Sequence, residues 1–214
     1  MTPADVITEV RRLVQDQVAP YRYSDAVLLG YVNQTLKRIA ALRPDLFSTI
    51  MEVETVQGSA VQTLPDDAIR LLDVFQIKDG DVIVEVNRET MSRSYPGWMS
   101  EAAGNPINFM RHPKNANQFF LYPRPATGIV LIAEYARVPE DYALTDEITH
   151  PPAAYMPAVV DGTVFLSQSI DDEHINSGRA KLFYDAMLQQ LDLSLKVRTV
   201  TDTASAGLDQ KQVI

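Results

Sequence analysis

The sequence predicts an α+β protein. An antiparallel helical bundle, with two N-terminal and two C-terminal helices, carries an inserted antiparallel β module and an extended C-terminal tail. Three observations predict this. Apolar residues recur at helical spacing up to Arg43, alternate with period two after Phe47, and return to helical spacing from Pro151. The boundaries fall at 1–47 and 138–198 for the helical domain, 48–137 for the β module and 199–214 for the tail.

Thr2 reads as an N-cap, with Pro3 in the first helical position and Asp5 placed to answer the cap. Val6, Val10, Leu13 and Val14 then share one face, which predicts a helix from about Pro3 to Val18. Pro20-Tyr21-Arg22-Tyr23 interrupts it. Ser24-Asp25 caps a second helix with a stripe of Leu28, Val32, Leu36 and Ile39. That helix stops at Arg43-Pro44, because the residue before proline disfavours the α conformation.

After Phe47, Met51 to Val56 alternates as a strand, Gly58-Ser59 supplies a turn, and Ala60 to Leu64 is predicted to return as the paired strand. A second hairpin is predicted from Ile69 to Ile77 and Val82 to Val86, joined by Lys78-Asp79-Gly80, where Asp-Gly supplies positive φ angles. Gln118 to Tyr122 and Ile129 to Tyr135 are further strands, flanking Pro123 to Gly128. Thr90 to Lys114, rich in Gly, Pro, Asn and Ser, reads as a long excursion.

Pro151-Pro152 and Pro157 suit entry into a third helix reaching Ser169, with Val160, Thr163, Val164 and Ser167 close to one face. Asp171-Asp172 opens a fourth, in which Ala180, Phe183, Met187, Leu191 and Leu195 are spaced at three or four. Gly178, Ala180 and Ala186 are small enough to permit close helix approach.

Composition narrows the function. The 214 residues include 19 Lys and Arg, 28 Asp and Glu and no cysteine, for a formal net charge of -9. That excludes a disulfide framework, a thiolate nucleophile and any Cys-ligated metal, and it argues against a domain that grips nucleic acid by neutralising phosphates. The N-terminus enters an amphipathic stretch with no apolar signal-peptide core, and the longest apolar runs fall far short of the roughly 20 residues a bilayer requires. A soluble chain with no membrane association is expected.

The sequence nominates no catalytic residue, no metal ligand and no cofactor site. Asp171-Asp172-Glu173-His174 is the most metal-like cluster, but adjacent helical residues diverge around the axis, and acids in a first turn are explained by the macrodipole. His112 and His150 stand beside proline in loop-like sequence, without H-x-x-x-H or H-E-x-x-H spacing. There is no G-x-S-x-G, no G-x-G-x-x-G and no G-x-x-x-x-G-K-[ST]. Glu52 and Glu54 share one strand face, which reads as the solvated side of a half-buried strand.

Two segments point to partners instead. Tyr95-Pro96-Gly97-Trp98-Met99 places large apolar groups in a loop, either as a plug over the β module's core or as a contact with a neighbouring chain or the tail through Tyr95, Trp98 and Met99. Thr199 to Ile214 has too little apolar content to fold alone, yet it contains Leu208 and Val213-Ile214. It reads either as an untethered, extended terminus or as a docking segment that orders on a partner.

Taken together these pieces resemble the head-to-tail adaptor proteins of tailed bacteriophages. The resemblance is carried by Tyr23 to Gln34 with Arg43-Pro44-Asp45-Leu46-Phe47, then Leu64-Pro65 with Leu71-Leu72-Asp73-Val74, then Phe120-Leu121-Tyr122-Pro123-Arg124-Pro125. It continues through Pro151-Pro152-Ala153-Ala154-Tyr155 with Val160-Asp161-Gly162, and through Asn176, Arg179-Ala180 and Phe183. The order and spacing of these motifs carry it, and it runs as far as Val197.

The resemblance implies a structural, non-enzymatic virion protein at the head-tail interface, present in the host cytoplasm during assembly. It implies a twelvefold homo-oligomeric ring beneath the portal protein, continuing the channel through which double-stranded DNA passes. A tail nozzle or tube protein is the implied partner below, with a tail fibre as a further contact. The C-terminal segment would reach the portal through Leu208, Val213 and Ile214. A tail-completion or tube-terminating protein is the alternative within virions. A cell-wall hydrolase and a sequence-specific DNA binder are rivals from other classes.

Overall fold

Residues 1–169 and 178–191 are described by the computed structural model. They divide into two units, one formed by Met1–Ile39 with the described residues from Glu140 on, the other by Ala40–Pro139. The helices among them are α1 (Pro3–Val14), α2 (Asp25–Leu42), α3 (Arg88–Ser94), α4 (Met156–Ser167) and α5 over 178–191. The strands are β1 (Ser48–Glu54), β2 (Val61–Thr63), β3 (Ala68–Ile77), β4 (Val84–Glu85), β5 (Asn108–Arg111), β6 (Gln118–Tyr122) and β7 (Val130–Arg137).

In the helical unit, Thr2 and Asp5 form the expected capping box. The Thr2 hydroxyl accepts from the Asp5 N–H at 3.3 Å and the Asp5 carboxylate accepts from the Thr2 N–H at 2.8 Å, which holds the Asp5 carboxyl below its usual range. The helix ends at Val14 and not at Val18. Gln15 turns left-handed at φ 61°, and Asp16 swings back to pair with Arg11 at 2.8 Å. Arg11 also reaches Asp25 at 2.7 Å and the Tyr23 carbonyl at 2.8 Å, with its guanidinium 3.8 Å from the centroid of the Tyr21 ring. Continuing the helix would break this buried pair.

Helix α2 ends before Pro44 as its sequence requires, with Leu28, Val32, Leu36 and Ile39 fully buried. Helix α4 follows a turn of 3-10 helix and packs against α1. Of its expected face, Thr163, Val164 and Ser167 are fully buried and Val160 is half-buried, and Ala158, Val159 and Gly162 widen the buried surface. Gly178 is exposed, and the close approach expected of it is made by Gly162, which lies against Thr35 of α2 and Met187 of α5. Ala180, Met187 and Leu191 are buried and Phe183 is half-buried. Leu195 and the acidic run Asp171 to His174 lie outside the described residues.

The second unit holds two sheets, ordered β1-β7-β3 and β2-β6-β5-β4. All pairings are antiparallel except β4 with β5, which is parallel and corrects the wholly antiparallel expectation. Neither expected hairpin forms as drawn. β1 pairs with β7 and β2 with β6, because the turn between β1 and β2 is bound by a side chain and not by a ladder. The buried Gln62 amide donates to the Val56 carbonyl at 3.2 Å and the Ser59 carbonyl at 2.6 Å, and accepts from the Val56 N–H at 2.7 Å.

The Asp79-Gly80 turn does form, with Asp79 itself at φ 55°, but the return is brief. After one bridge between Gln76 and Val82, the chain crosses to the other sheet, where the Val84 N–H donates to the Ile107 carbonyl at 3.1 Å.

Strand β3 departs furthest from period two. Its inward residues, Ala68, Leu71, Val74 and Ile77, come every third position. They stand opposite Arg137, Tyr135, Ala133 and Leu131, which come every second, and register shifts absorb the difference at each step. These inward residues meet Phe109, Phe119 and Leu121 from the other sheet in the main core.

The excursion from Thr90 to Lys114 also proves structured. It contains most of α3 and all of β5, whose Phe109 and Met110 face opposite sides of the second sheet. That sheet is buried on both faces, which explains the unbroken apolar run Phe119-Phe120-Leu121.

Candidate functional site

The described residues hold no group of three or more His, Cys, Asp or Glu placed to bind a metal ion. His112 accepts the N–H groups of Lys114 and Asn115 through Nδ1, at 3.2 and 2.9 Å, and stacks on Phe120 at 5.4 Å. Its role is to shape a turn. Glu52 pairs with Lys78 at 2.8 Å, and that hydrogen bond raises the Lys78 ammonium above its ordinary value. Glu54 is exposed.

The segment singled out in the sequence splits between inside and outside. Trp98 is 2% exposed and plugs a second, smaller core with Ala60, Met110 and Phe120, while its indole N–H donates to Ser92 Oγ at 3.2 Å. Its ring meets Phe120 edge-on at 5.7 Å, an arrangement the aromatic quadrupole favours. Tyr95 and Met99, on either side, are exposed.

Tyr95 belongs to a polar cluster around Glu101. The Tyr122 hydroxyl donates to Glu101 Oε2 at 2.6 Å, and that bond, with burial and the carboxylate's charge, pushes Tyr122 up to about 12. Tyr95 is raised by the same carboxylate, and its ring meets Tyr122 edge-on at 5.9 Å. Arg124 fixes the segment from behind, donating to the Glu101 carbonyl at 2.7 Å. Tyr95 and Met99 are thus presented on an anchored loop. Leu208, Val213 and Ile214 lie outside the described residues.

Sequence reasoning missed a basic cluster at one side of the β unit. Arg70 from β3, Arg111 from β5, and His112 and Lys114 from the following loop line a cavity of about 240 Å³. Arg111 pairs with Glu85 at 2.8 Å and also donates to the carbonyls of Leu71 and Leu72. Arg70 and Lys114 are exposed and have no carboxylate partner among the described residues. Several bonds bring these distant segments together, among them the Leu71 N–H to the Ala116 carbonyl at 3.1 Å and the Asn117 amide to the Ala68 carbonyl at 2.8 Å.

Across the first sheet, beyond β7, lies a surface richer in acids, of which Glu52 is the one held by Lys78. β1 is an edge strand, and Ile50, Glu52 and Glu54 alternate onto the face away from buried Val53. Ile50 is 60% exposed there, with Glu134 as its cross-strand partner. Asp73 and Glu134 are paired positions on β3 and β7, and the shared charge adds to the acidity of this surface.

Among the described residues of the helical unit, an open groove of about 500 Å³ lies between α2 and the segment before α4. It is lined by Leu29, Gly30, Asn33, Lys37, Asp141 and Tyr142. Lys37 pairs with Asp141 at 2.7 Å, and the Asn33 amide is bonded both ways to the Tyr142 backbone.

Exposed apolar and charged groups such as these can serve as contact surfaces. The model of the SU10 adaptor protein family matches residues 1–210. The chain belongs to that family. The match takes in both units and runs past Leu208, beyond the point where the resemblance of individual motifs ends. No curated protein matches the chain.

As an SU10-type adaptor the chain is a structural bacteriophage protein and a virion component. No helix among the described residues is long and apolar enough to cross a membrane. For an adaptor, the anchored Tyr95 and Met99, the basic cluster and the acidic strand edge are candidate contact surfaces.

Proposed function

We propose that this adaptor is a subunit of the head-to-tail connector, forming a ring, twelvefold by family resemblance, that joins the portal to the tail nozzle or tube. The match of the SU10 adaptor family over residues 1–210 carries this reading. The helical unit, read as a bundle completed by the described part of α5, would supply the ring's frame. The β unit would face neighbours or the tail through Tyr95 and Met99, with Trp98 holding their loop in place. Leu208, Val213 and Ile214 would dock on the portal. The net charge of -9, repeated around a ring, would repel passing DNA and keep the genome from adhering.

Purified portal rings test the proposal. The full chain should bind them, and a chain lacking residues 199–214 should keep its unfolding transition but lose attachment. Normal attachment of the truncated chain would remove the docking role of the tail. A full chain that ignores portal rings and binds tail components instead would be a tail-completion protein.

A further inference from the structure

We propose that the β1 edge of one copy docks against the basic cluster of a second copy, so that neighbours join side to side through their β units. The inference rests on the adaptor reading for placing copies beside one another, and its geometry comes from the sheet order. β1 lies at one edge of the first sheet and β3 at the other, two strand spacings or about 10 Å apart. The basic cluster begins at β3, with Arg70, and extends away from β7 into the loop after β5. Arg70 and Lys114 therefore lie to the β3 side of the sheet and Glu54 on the β1 edge, an arrangement that allows the same contact to repeat from copy to copy. A contact between two different patches propagates around a ring or along a filament.

Each surface has the features of half an interface. On β1, Ile50 supplies an exposed apolar group, Glu52 and Glu54 follow it on the same face, with Glu52 already paired to Lys78 and Glu54 free of a basic partner among the described residues, and no strand among the described residues pairs with its outer edge. On the other side, Arg70 and Lys114 carry charge that no carboxylate of the same chain neutralises among the described residues, beside a cavity able to take side chains. Arg111 is held by Glu85 and two carbonyls, so it shapes the cradle, leaving Arg70 and Lys114 to meet the acids. In a chain with nine more acidic than basic residues, two unneutralised cations at one cavity fit an acidic partner, and β1 of the next copy is one.

Carbodiimide, which joins a carboxylate to a lysine amine, reads the contact directly. Mixed light and nitrogen-15 chains should yield isotopically mixed links from Lys114 to Glu52 or Glu54, free at high concentration or on portal rings. The links should diminish as salt shortens the screening length. The paired change Arg70→Glu with Lys114→Glu, and separately Glu52→Lys with Glu54→Lys, should each abolish side-to-side association. The chain carrying all four should recover it, with the links reversed in direction. If a reversed variant fails to keep the parent's melting transition, Lys114→Gln and Glu54→Gln supply the same comparison with smaller perturbation.

Absence of these links from the parent chain in both settings overturns the proposal, as does parental association by either single-surface variant. Portal binding is scored separately. Chains that bind portal rings while ignoring the charge changes refute this contact alone, whereas chains that associate through it and ignore portal refute the adaptor reading.

Discussion

A Cβ placed on Gly162 would stand 2.5 Å from Thr35 Cγ2, inside the contact distance of two carbons, and 2.8 Å from Met187 Sδ. Gly162 is thus a point of close approach between α4 and both α2 and α5. Thr163 beside it is fully buried, with its hydroxyl bonded to the Val159 carbonyl at 2.7 Å.

Gly162→Ala should therefore destabilise the chain despite the better helix propensity of alanine. Propensity alone favours Ala by about 0.5–1 kcal/mol, while an extra carbon in a packed core costs about 1–3 kcal/mol. Met187 can move its thioether, but Thr35, β-branched within a helix, cannot easily turn its methyl aside. Those two ranges leave a net loss of up to about 2.5 kcal/mol, read by urea unfolding. Adding Thr35→Ser removes the clashing methyl and should return most of the loss. Additive effects of the two changes would show that the contact is not the cause.

Trp98 and Met99, adjacent in sequence, should behave in opposite ways. Trp98→Ala empties the smaller core and removes the indole bond to Ser92, and should cost about 3–5 kcal/mol. Met99→Ala, at an exposed site, should change stability by less than about 0.5 kcal/mol. The pair separates a plug from a contact surface: if Met99→Ala weakens assembly while folding normally, the loop serves both purposes. Equal and small effects on stability would contradict the packing described for Trp98.

What the sequence made legible was local. The Thr2 and Asp5 cap, the stop before Pro44, the stripe on α2 and strand β6 each depend on residues within a turn or two of one another. The errors arose where partners are distant. Nothing near Met51 reveals that it will lie opposite Ala133 and not a residue of the returning segment, and a buried Gln62 makes that return a bound loop. The inward spacing of β3 is invisible to a period-two test, because bulges make it three. β5 is short and lies between Pro106 and Pro113, so its signal was lost in turn-forming neighbours.

The same distinction governs the candidate contacts. Tyr95, Trp98 and Met99 stood out as a local aromatic and Met cluster, although only packing divides them into plug and surface. Nothing local in the sequence marks Arg70 and Lys114, which become neighbours through long-range bonds such as Leu71 to Ala116 and Asn117 to Ala68.

Asp161 on α4 provides a pH-dependent test of the helical unit. It is half-buried, and burial raises its carboxyl above the ordinary value of 3.8, opposed by the hydrogen bond it accepts from Gln190 Nε2 at 2.9 Å. A raised value means that the folded state holds this proton more tightly than the unfolded chain. Its favourable contribution is therefore complete below about pH 3.8 and is lost as pH rises through the folded value. Above that window the ionised group pays a desolvation penalty that a neutral amide of the same shape avoids. Asp161→Asn, which keeps an acceptor for Gln190, should be more stable than the parent at neutral pH, with the advantage vanishing as pH falls below 3.8. Subtracting the two stability curves, measured by urea unfolding between pH 3 and 8, cancels the other titrating groups. An advantage constant across that range, or a variant less stable at pH 7, would show that burial does not govern this carboxylate.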